Sequence, residues 1–376
     1  MKENTTHTKE DLKMMQSLPL SIKVRMTEER IRQWYQHWGG QVCVSFSGGK
    51  DSTVLMEIAR RLYPDIPAVF SNTGLEYPEI QKFVREYKNV DIVTPKVRFF
   101  DVVIRDGYPL ISKEVSHGIA IARKFKKGNE NKHKREELLG TRYISGTNIL
   151  SVYNKEKWLP LCTELPVLIS DYCCDKIKKQ PVNQYKRKHG YKLYLATLAE
   201  ESMLRKQGWL KHGCNAYDSS DPKSQPMSFW TEQDVLEYIV LNGLEIASVY
   251  GDIVSVDEAG DYYSPIDLLG GCRGGLKCTG CERTGCIFCG YGFHSEKGET
   301  RFQRLARTHP KQYEYCIKGG KWSDNPYYDP TVPKMDGEWK NWNPKKIWTP
   351  SEKGLGMGKL FDMVNEIYGK DFYRYE

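Results

Sequence analysis

The chain has 376 residues, a formal net charge of +8 and 39% hydrophobic residues, the composition of a globular protein large enough for two domains. This excludes a small disulfide-stapled scaffold and a disordered chain. No apolar run approaches the ~18 residues of a membrane span, and residues 1–13 lack the apolar region of a signal peptide. We therefore expect a cytoplasmic protein that does not enter a membrane. The charge suits phosphate-rich ligands but is too small to indicate nucleic acid.

Strands and helices are expected to alternate in the first part of the chain. Residues 1–40 have helical spacing and end at Gly39-Gly40, which predicts an N-terminal helical segment. The elements predicted after it are, in chain order, a strand at 41–46, a helix at 53–63, a strand at 68–71, a helix at 77–87 and a strand at 91–94. This alternation predicts an α/β fold with a parallel twisted sheet and helices on both faces.

The same domain is expected to extend over residues 41–264. A basic insert at about 111–158 contains the run Arg123–Arg135, interpreted as a solvated helix or mobile excursion, or else as a phosphate-contacting surface. Residues 191–198 predict another strand, and 228–243 a helix capped by Thr231 and Asp234. Glycine and cysteine then increase, so residues 265–376 are predicted to form a cysteine-rich C-terminal region.

The loop Ser47–Ser52 (SGGKDS) joins the first strand to the first helix of the sheet. The backbone N–H groups and the dipole at a helix N-terminus favour an anion there. Gly48 and Gly49 let the backbone approach a phosphate, Lys50 supplies a positive charge, and Asp51 is a candidate Mg²⁺ ligand. The spacing is neither that of a Walker P-loop nor G-x-G-x-x-G.

Ser47–Ser52 resembles the SGGxDS loop of the PP-loop ATP pyrophosphatases, which split ATP into AMP and pyrophosphate. Val69–Pro78 is similar to the adenine-side loop of the phosphoadenosine phosphosulfate (PAPS) reductase branch, with Asn72 in place of the usual aspartate, and Thr197–Arg205 resembles another nucleotide-facing segment of that branch. The resemblance implies a fold like that of the adenine nucleotide alpha hydrolases, and ATP with Mg²⁺ as ligand. The implied nucleotide contacts are Ser47, Gly48, Gly49, Lys50, Asp51, Ser52, Thr73 and Gly74.

Eleven cysteines in a reducing compartment indicate metal binding or thiol chemistry rather than disulfides. Five lie within eighteen residues: Cys272, Cys278, Cys281, Cys286 and Cys289. The spacing of the last four would suit one tetrahedral zinc.

The adjacent pair Cys173-Cys174 suggests a different metal site, because neighbouring cysteines chelate zinc poorly. Iron–sulfur sulfonucleotide reductases resemble this chain in having a Cys-Cys pair followed by a distant Cys-x2-Cys. That resemblance implies a [4Fe–4S] cluster held by Cys173, Cys174, Cys286 and Cys289. The zinc site, and buried free thiols without metal, are the alternatives.

Thiol-dependent reductases of this family carry a C-terminal cysteine, whereas this chain ends in KDFYRYE. Another nucleophile would be needed. Cys214, which follows Lys211 and His212, is the first candidate and Cys316 the second, because neighbouring cations favour a thiolate.

The function expected from these features is adenylation-linked sulfur transfer by an enzyme that binds ATP through SGGKDS, with Lys50, Asp51 and Cys214 in catalytic roles. The first alternative is a sulfonucleotide (PAPS or APS) reductase. The second is a non-catalytic module with a structural metal, which binds nucleotide or nucleic acid and uses Trp209, Tyr217 and Trp230 to stack bases. The expected partners are an adenine nucleotide, a sulfur donor protein and, for some acceptors, nucleic acid.

Overall fold

The computed structural model describes residues 7–125, 131–256, 262–263 and 275–376. Cys272 and part of the basic run lie outside these residues. The chain forms two compact units: unit 1 comprises Met1–Pro95 and Lys179–Cys286, and unit 2 comprises Lys96–Lys178 and Ile287–Glu376. Within the described ranges, no helix is both long and apolar enough to cross a membrane.

The α-helices of the described residues are, in chain order, α1 (Lys9–Gln16), α2 (Leu20–His37), α3 (Lys50–Leu62), α4 (Pro78–Glu86), α5 (Phe99–Asp106), α6 (Lys113–Ala122), α7 (Lys132–Leu139), α8 (Leu159–Thr163), α9 (Gln180–His189), α10 (Met203–His212), α11 (Glu232–Leu241), α12 (Arg301–Thr308), α13 (Pro310–Ile317) and α14 (Met357–Tyr368). The strands are β1 (Val42–Ser45), β2 (Ala68–Ser71), β3 (Val90–Val93), β4 (Leu110–Ile111), β5 (Lys192–Tyr194), β6 (Asn215–Ala216), β7 (Lys223–Ser224), β8 (Ile253–Val256), β9 (Tyr262–Tyr263), β10 (Leu276–Cys278), β11 (Gly290–Tyr291), β12 (Lys321–Asp324), β13 (Met335–Asp336), β14 (Trp339–Lys340) and β15 (Lys346–Thr349).

Unit 1 is built on a six-stranded sheet in the order β3-β2-β1-β5-β7-β6. All neighbouring strands are parallel except β6, which runs antiparallel to β7. Because side chains alternate between faces along a strand, β1 and β5 contribute to both faces of the sheet. Cys43 and Leu193 pack with Tyr185 of α9 on one face, while the Tyr194 hydroxyl donates to the Ile31 carbonyl of α2 at 2.8 Å. The predicted α/β sheet with helices on both faces is confirmed.

The helices and strands of unit 1 lie close to the positions predicted from the sequence. Strand β2 has the predicted bounds, and β1, β3, α3 and α4 differ from prediction by a few residues at their ends. The predicted cap of α11 is present, because the Thr231 hydroxyl accepts the Asp234 N–H at 3.3 Å and the Asp234 carboxylate accepts the Thr231 N–H at 2.6 Å. The strand predicted at 191–198 is shorter than expected and is limited to β5.

Unit 2 combines the predicted insert with the C-terminal part of the chain. Its first strand, β4, pairs in parallel with β11, and its core contains the aromatic rings of Phe293, Phe302, Phe361 and Tyr373. The two units therefore divide the chain at different residues from the predicted boundaries at 40, 264 and the edges of the insert.

The basic run of unit 2 is not only a solvated surface. Arg123 donates hydrogen bonds to the carbonyls of Leu161, Cys162, Leu165 and Val167, and its guanidinium lies 4.2 Å from the Trp342 ring centroid. Burial lowers the pKa of Arg123 to about 10. For Arg123 the interpretation as a solvated side chain is wrong, because its guanidinium is hydrogen-bonded to these four carbonyls.

Candidate functional site

The loop between β1 and α3 requires glycine at its centre. Gly48 has φ +70°, and a Cβ there would lie 2.7 Å from Val84 Cγ2 and 2.8 Å from Ile80 Cγ2, both on α4. Gly49 is the N-cap residue of α3 and has extended backbone angles. The loop therefore fits closely against α4 while it directs the N-terminus of α3 toward the end of the sheet where β1 terminates.

Two serine hydroxyls hold the shape of this loop. The Ser52 hydroxyl donates to the Gly49 carbonyl at 2.8 Å and accepts the Ser47 N–H at 3.2 Å. The hydroxyls of Ser47 and Ser52 lie 3.0 Å apart, and the Gly49 N–H donates to Ser47 Oγ at 3.3 Å. The first and last residues of SGGKDS thus fix each other and position the residues between them.

Lys50 is a buried cation in the first turn of α3, with 4% of its surface exposed. Its ammonium lies 3.2 Å from Asp51 Oδ1 and 3.1 Å from Glu232 Oε1. Burial by itself lowers the pKa of Lys50, but the two carboxylates outweigh it and the pKa is raised. Lys50 is therefore charged at neutral pH, and its ammonium lies between these two carboxylates.

A pair of arginine cations also lies in unit 1. The guanidiniums of Arg205 and Arg283 both pair with the carboxylate of Glu201, the latter at 3.6 Å. Burial lowers the pKa of Arg205, and the charge of Arg283 lowers it further while Asp51 raises it. Two guanidiniums that share one carboxylate retain donors for an additional anion.

The loop after β2 lies at the same end of the sheet as SGGKDS, because β1 and β2 are neighbouring parallel strands. The Thr73 hydroxyl and N–H donate to Glu76 at 2.7 and 3.0 Å. Gly74 has φ +75°, and its N–H donates to Asn72 Oδ1 at 3.2 Å. Asn72 thus accepts the turn hydrogen bond that an aspartate there would accept, and the Thr73 hydroxyl is bound to Glu76.

Three of the four predicted cluster cysteines belong to unit 2. A hydrogen bond from Cys173 lowers the pKa of Cys174, and Lys113 adds to this effect. Burial and then the charges of Cys173, Cys174 and Cys289 raise the pKa of Tyr291, so these thiols all lie near one phenol ring. Cys174 begins a π-helical turn, Cys174–Lys179, a type of turn that is frequent at functional sites.

Cys286 is the last residue of unit 1 and precedes Cys289 by three positions. Cys278 and Cys281 are buried in unit 1, and burial raises the pKa of Cys278 to about 11, although the charge of Lys50 opposes this rise. Across the described part of the chain, no three His, Cys, Asp or Glu side chains are arranged to hold a metal ion. The iron–sulfur and zinc sites both stay predictions.

Residues 41–98, which contain the SGGKDS loop and the Thr73–Gly74 turn, match the family described as the phosphoadenosine phosphosulfate reductase domain. The similarity to that family is shown for these residues. The predicted resemblance to this family is confirmed over those residues.

Curated relatives match short parts of the chain. An uncharacterized protein of Methanocaldococcus jannaschii is 33% identical over 69 residues, 17% of either chain. Adenosine 5'-phosphosulfate reductases of two Pseudomonas aeruginosa strains are 22% identical over 95 residues, which is 24% of this chain and 35% of each relative. The chain thus spans about a third or less of the length of these relatives. The crystal structure of a PAPS reductase from Candida auris, a phosphate complex, aligns with a TM-score of 0.31 and 12% identity over 65% of this chain and 91% of that one.

Cys214, the first candidate nucleophile, has surroundings unlike those expected of a reactive thiol. Its thiol is 7% exposed, and burial raises its pKa. The Ser228 hydroxyl donates to its sulfur at 3.4 Å. Cys316, in unit 2, is fully buried and burial raises its pKa as well. The catalytic role of either cysteine stays a prediction that its burial disfavours.

The base-stacking role expected of Trp209 and Trp230 is wrong, because these side chains are 2% and 0% exposed. Trp209 stacks on His7, and the Trp230 indole N–H donates to Thr27 Oγ1 at 2.9 Å. Tyr217 packs on Trp34 at a centroid distance of 5.1 Å. These aromatic residues therefore belong to the packing of unit 1.

Sequence reasoning missed several residues beside the loop. Glu232 reaches Lys50 from the first turn of α11, and the Tyr250 hydroxyl accepts the Lys50 N–H at 3.1 Å. Glu201 and Arg283 were also not singled out. They lie far from SGGKDS in the sequence, so no local motif could have indicated that they approach it. Only the segment Thr197–Arg205, identified by resemblance, pointed to part of this group.

Proposed function

We propose that the protein binds ATP with Mg²⁺ through Ser47–Ser52 and catalyses adenylation-linked sulfur transfer. The observation that carries this proposal is the intact SGGKDS loop with a buried, charged Lys50 at the N-terminus of α3. An enzyme that receives an already adenylated sulfate has no pyrophosphate to release, so it does not need a complete pyrophosphate-binding loop. An intact loop therefore favours ATP as the substrate.

In this proposal the residues of unit 1 stabilise negative charge while an acceptor oxygen attacks the α-phosphorus of ATP. Pyrophosphate leaves as the bond between the α-phosphorus and the bridging oxygen breaks. Lys50 and Arg205 contact the charge that develops on the phosphate oxygens, and Asp51 holds Mg²⁺. A sulfur nucleophile from a donor protein then displaces AMP from the adenylated acceptor.

Cys173, Cys174, Cys286 and Cys289 would hold the proposed [4Fe–4S] cluster. Their donor atoms fit it, because soft thiolates are the usual ligands of iron–sulfur clusters, and Cys174 favours the thiolate. When bound, such a cluster supplies electrons or a coordination site for sulfur. The proximity of Cys173, Cys174 and Cys289 to Tyr291 supports this proposal.

A sulfonucleotide reductase is the second candidate, favoured by the match of residues 41–98 to the PAPS reductase domain. In that reaction the nucleotide arrives as APS or PAPS, and sulfite is the product that marks reduction. The same loop would then bind the phosphate groups of the sulfonucleotide without cleaving ATP.

One pair of assays separates the two candidates. Anaerobically purified protein is incubated with α-labelled ATP and Mg²⁺, and separately with PAPS or APS and a reductant. We expect AMP and pyrophosphate from ATP when the acceptor is present in a cell extract. Sulfite from PAPS or APS without any pyrophosphate from ATP would establish the reductase and contradict ATP-dependent adenylation.

A further inference from the structure

The segment from Cys278 to Thr284 is fixed against the residues around Tyr250. The Gly280 N–H donates to the Tyr250 carbonyl at 2.8 Å, and the Cys281 N–H donates to the Val249 carbonyl at 2.9 Å. A Cβ on Gly280 would lie 2.4 Å from that Val249 carbonyl, so the close approach requires glycine. The backbone therefore holds this segment, which we call the cysteine segment, beside the Tyr250 side chain.

Tyr250 connects the cysteine segment to the nucleotide loop. Its hydroxyl lies 2.6 Å from Thr284 Oγ1 and accepts the Lys50 N–H at 3.1 Å. A Cβ built on Gly49 would lie 3.2 Å from the Tyr250 hydroxyl and 3.6 Å from Thr284 Oγ1. Both hydroxyls thus lie against Gly49, the residue that precedes α3, where the phosphate is expected.

Arg283 brings a positive charge to the same place. It shares Glu201 with Arg205, and the charge of Arg283 contributes to the lowered pKa of Arg205, so the two guanidiniums are close. Arg205 is also within electrostatic reach of Asp51 in the loop. Arg283 is more than half exposed, which leaves donors accessible to a ligand in solution.

We propose that Arg283 and Thr284 of the cysteine segment bind the phosphate groups of the nucleotide. This inference rests on the proposed function and names a second group of binding residues for its substrate. The ligand chemistry is that of a phosphate ester, which ATP and a sulfonucleotide share. The Thr284 hydroxyl donates to a phosphate oxygen in place of its contact with Tyr250, and the Arg283 guanidinium donates to a second one.

Calorimetry tests this inference with whichever of ATP and PAPS the wild-type protein binds. We expect Arg283→Ala to weaken binding by roughly 10-fold to 100-fold, as for the loss of a charged hydrogen bond, and Thr284→Val by roughly 5-fold to 10-fold. Lys277→Ala is the matched control. Lys277 directly precedes the segment, is a half-exposed cation and pairs with Glu282. Its affinity should equal that of the wild type.

The outcomes distinguish this inference from the proposed function. Wild-type binding with equal affinity in Arg283→Ala and Thr284→Val would overturn the inference and leave the proposed function intact. No binding of either nucleotide to the wild type would overturn both.

Hydrogen exchange of the wild-type protein provides a measurement that needs no variant. Nucleotide should slow hydrogen exchange in the peptide covering residues 279–286. The exchange rates of peptides covering β12 and β15 of unit 2 should not change. Exchange in 279–286 that is unaffected by a saturating nucleotide would contradict the inference even if both variants fail to fold.

Discussion

Gly48 and Gly74 both have positive φ angles, yet only Gly48 is surrounded by other atoms. A side chain at Gly48 would meet two methyl groups of α4 below 3.0 Å, whereas nothing lies within 4 Å of the Cβ position at Gly74. The first glycine is therefore required by backbone conformation and by space, and the second by conformation alone.

Alanine at these two positions should separate the cost of the left-handed backbone conformation from the cost of the close contact with α4. Gly74→Ala should lower the free energy of unfolding by about 1–2 kcal/mol, the cost of a left-handed L-residue. Gly48→Ala should cost about 1–3 kcal/mol more, because Ile80 and Val84 must move. Denaturant titration measures both values. Equal losses in the two variants would mean that the close contact with α4 contributes nothing.

Cysteine reactivity gives a prediction with a pH dependence. The thiolate is the reactive form, and the pKa is lowered for Cys174 and raised for Cys214. In metal-free native protein at pH 7, iodoacetamide should modify Cys174 well before Cys214. Raising the pH should accelerate Cys214 more than Cys174, since Cys174 is already largely deprotonated. Mass mapping of the modified peptides measures both rates, and faster modification of Cys214 at pH 7 would restore it as the candidate nucleophile.

At the scale of elements, Arg123 shows how a charged side chain can organise a turn of the chain. Its four hydrogen bonds bring together carbonyls from α8 and from the segment that follows it. The guanidinium has enough donors for several carbonyls at once, and the Leu165 carbonyl also accepts the Trp342 indole N–H at 2.8 Å. The cost of burying the cation is offset by these bonds and by its stacking on Trp342.

Replacing Arg123 should therefore destabilise unit 2. Arg123→Met removes the hydrogen bonds of a charged donor to four carbonyls, so we expect a loss of roughly 3 kcal/mol or more. Arg98→Ala is the control, because Arg98 is exposed and its guanidinium pairs with the nearby Asp101. Thermal unfolding should show a lower midpoint for Arg123→Met and no measurable change for Arg98→Ala. Equal midpoints for the two variants would show that Arg123 is not a structural cation.

The elements of unit 1 were the most predictable because their signals are local. Strand β1 is a short run rich in β-branched residues beside the glycine loop, and the capping box of α11 lies within four residues. Unit 2 was not predictable in the same way. Strand β4 pairs with β11, and the two come from distant parts of the chain with only two residues each. Pairing of this kind leaves no periodicity in the sequence.

In the candidate site, too, the residues with a local sequence signal were predictable and the others were not. Ser47–Ser52 could be predicted because strand, glycine loop and helix are consecutive in the sequence. Glu232, Tyr250 and Arg283 approach the loop only through the folding of later segments, and each is a common residue without a local motif. The sequence could therefore predict the role of the loop, whose residues are consecutive. It could not predict the residues around the loop, which approach it only in the folded chain.

For the molecule as a whole, the cysteine ligands give the sharpest test of the cofactor. A cluster held by Cys173, Cys174, Cys286 and Cys289 should make anaerobically purified protein brown, with iron and acid-labile sulfide in equal amounts. Cys173→Ala or Cys286→Ala should remove the visible absorption, and Cys281→Ala should keep it. Loss of bound metal in Cys281→Ala, with retention in Cys173→Ala, would instead establish the zinc site of Cys278, Cys281, Cys286 and Cys289.

The central claim is that the loop Ser47–Ser52 binds the phosphates of an adenine nucleotide. Calorimetric titration of ATP with Mg²⁺ into wild type, Lys50→Ala and Asp51→Ala tests it most directly. We predict one site in the wild type and a loss of roughly 1.5–3 kcal/mol of binding free energy in Lys50→Ala, because a charged hydrogen bond to phosphate is removed. Unchanged affinity in both variants would contradict the account.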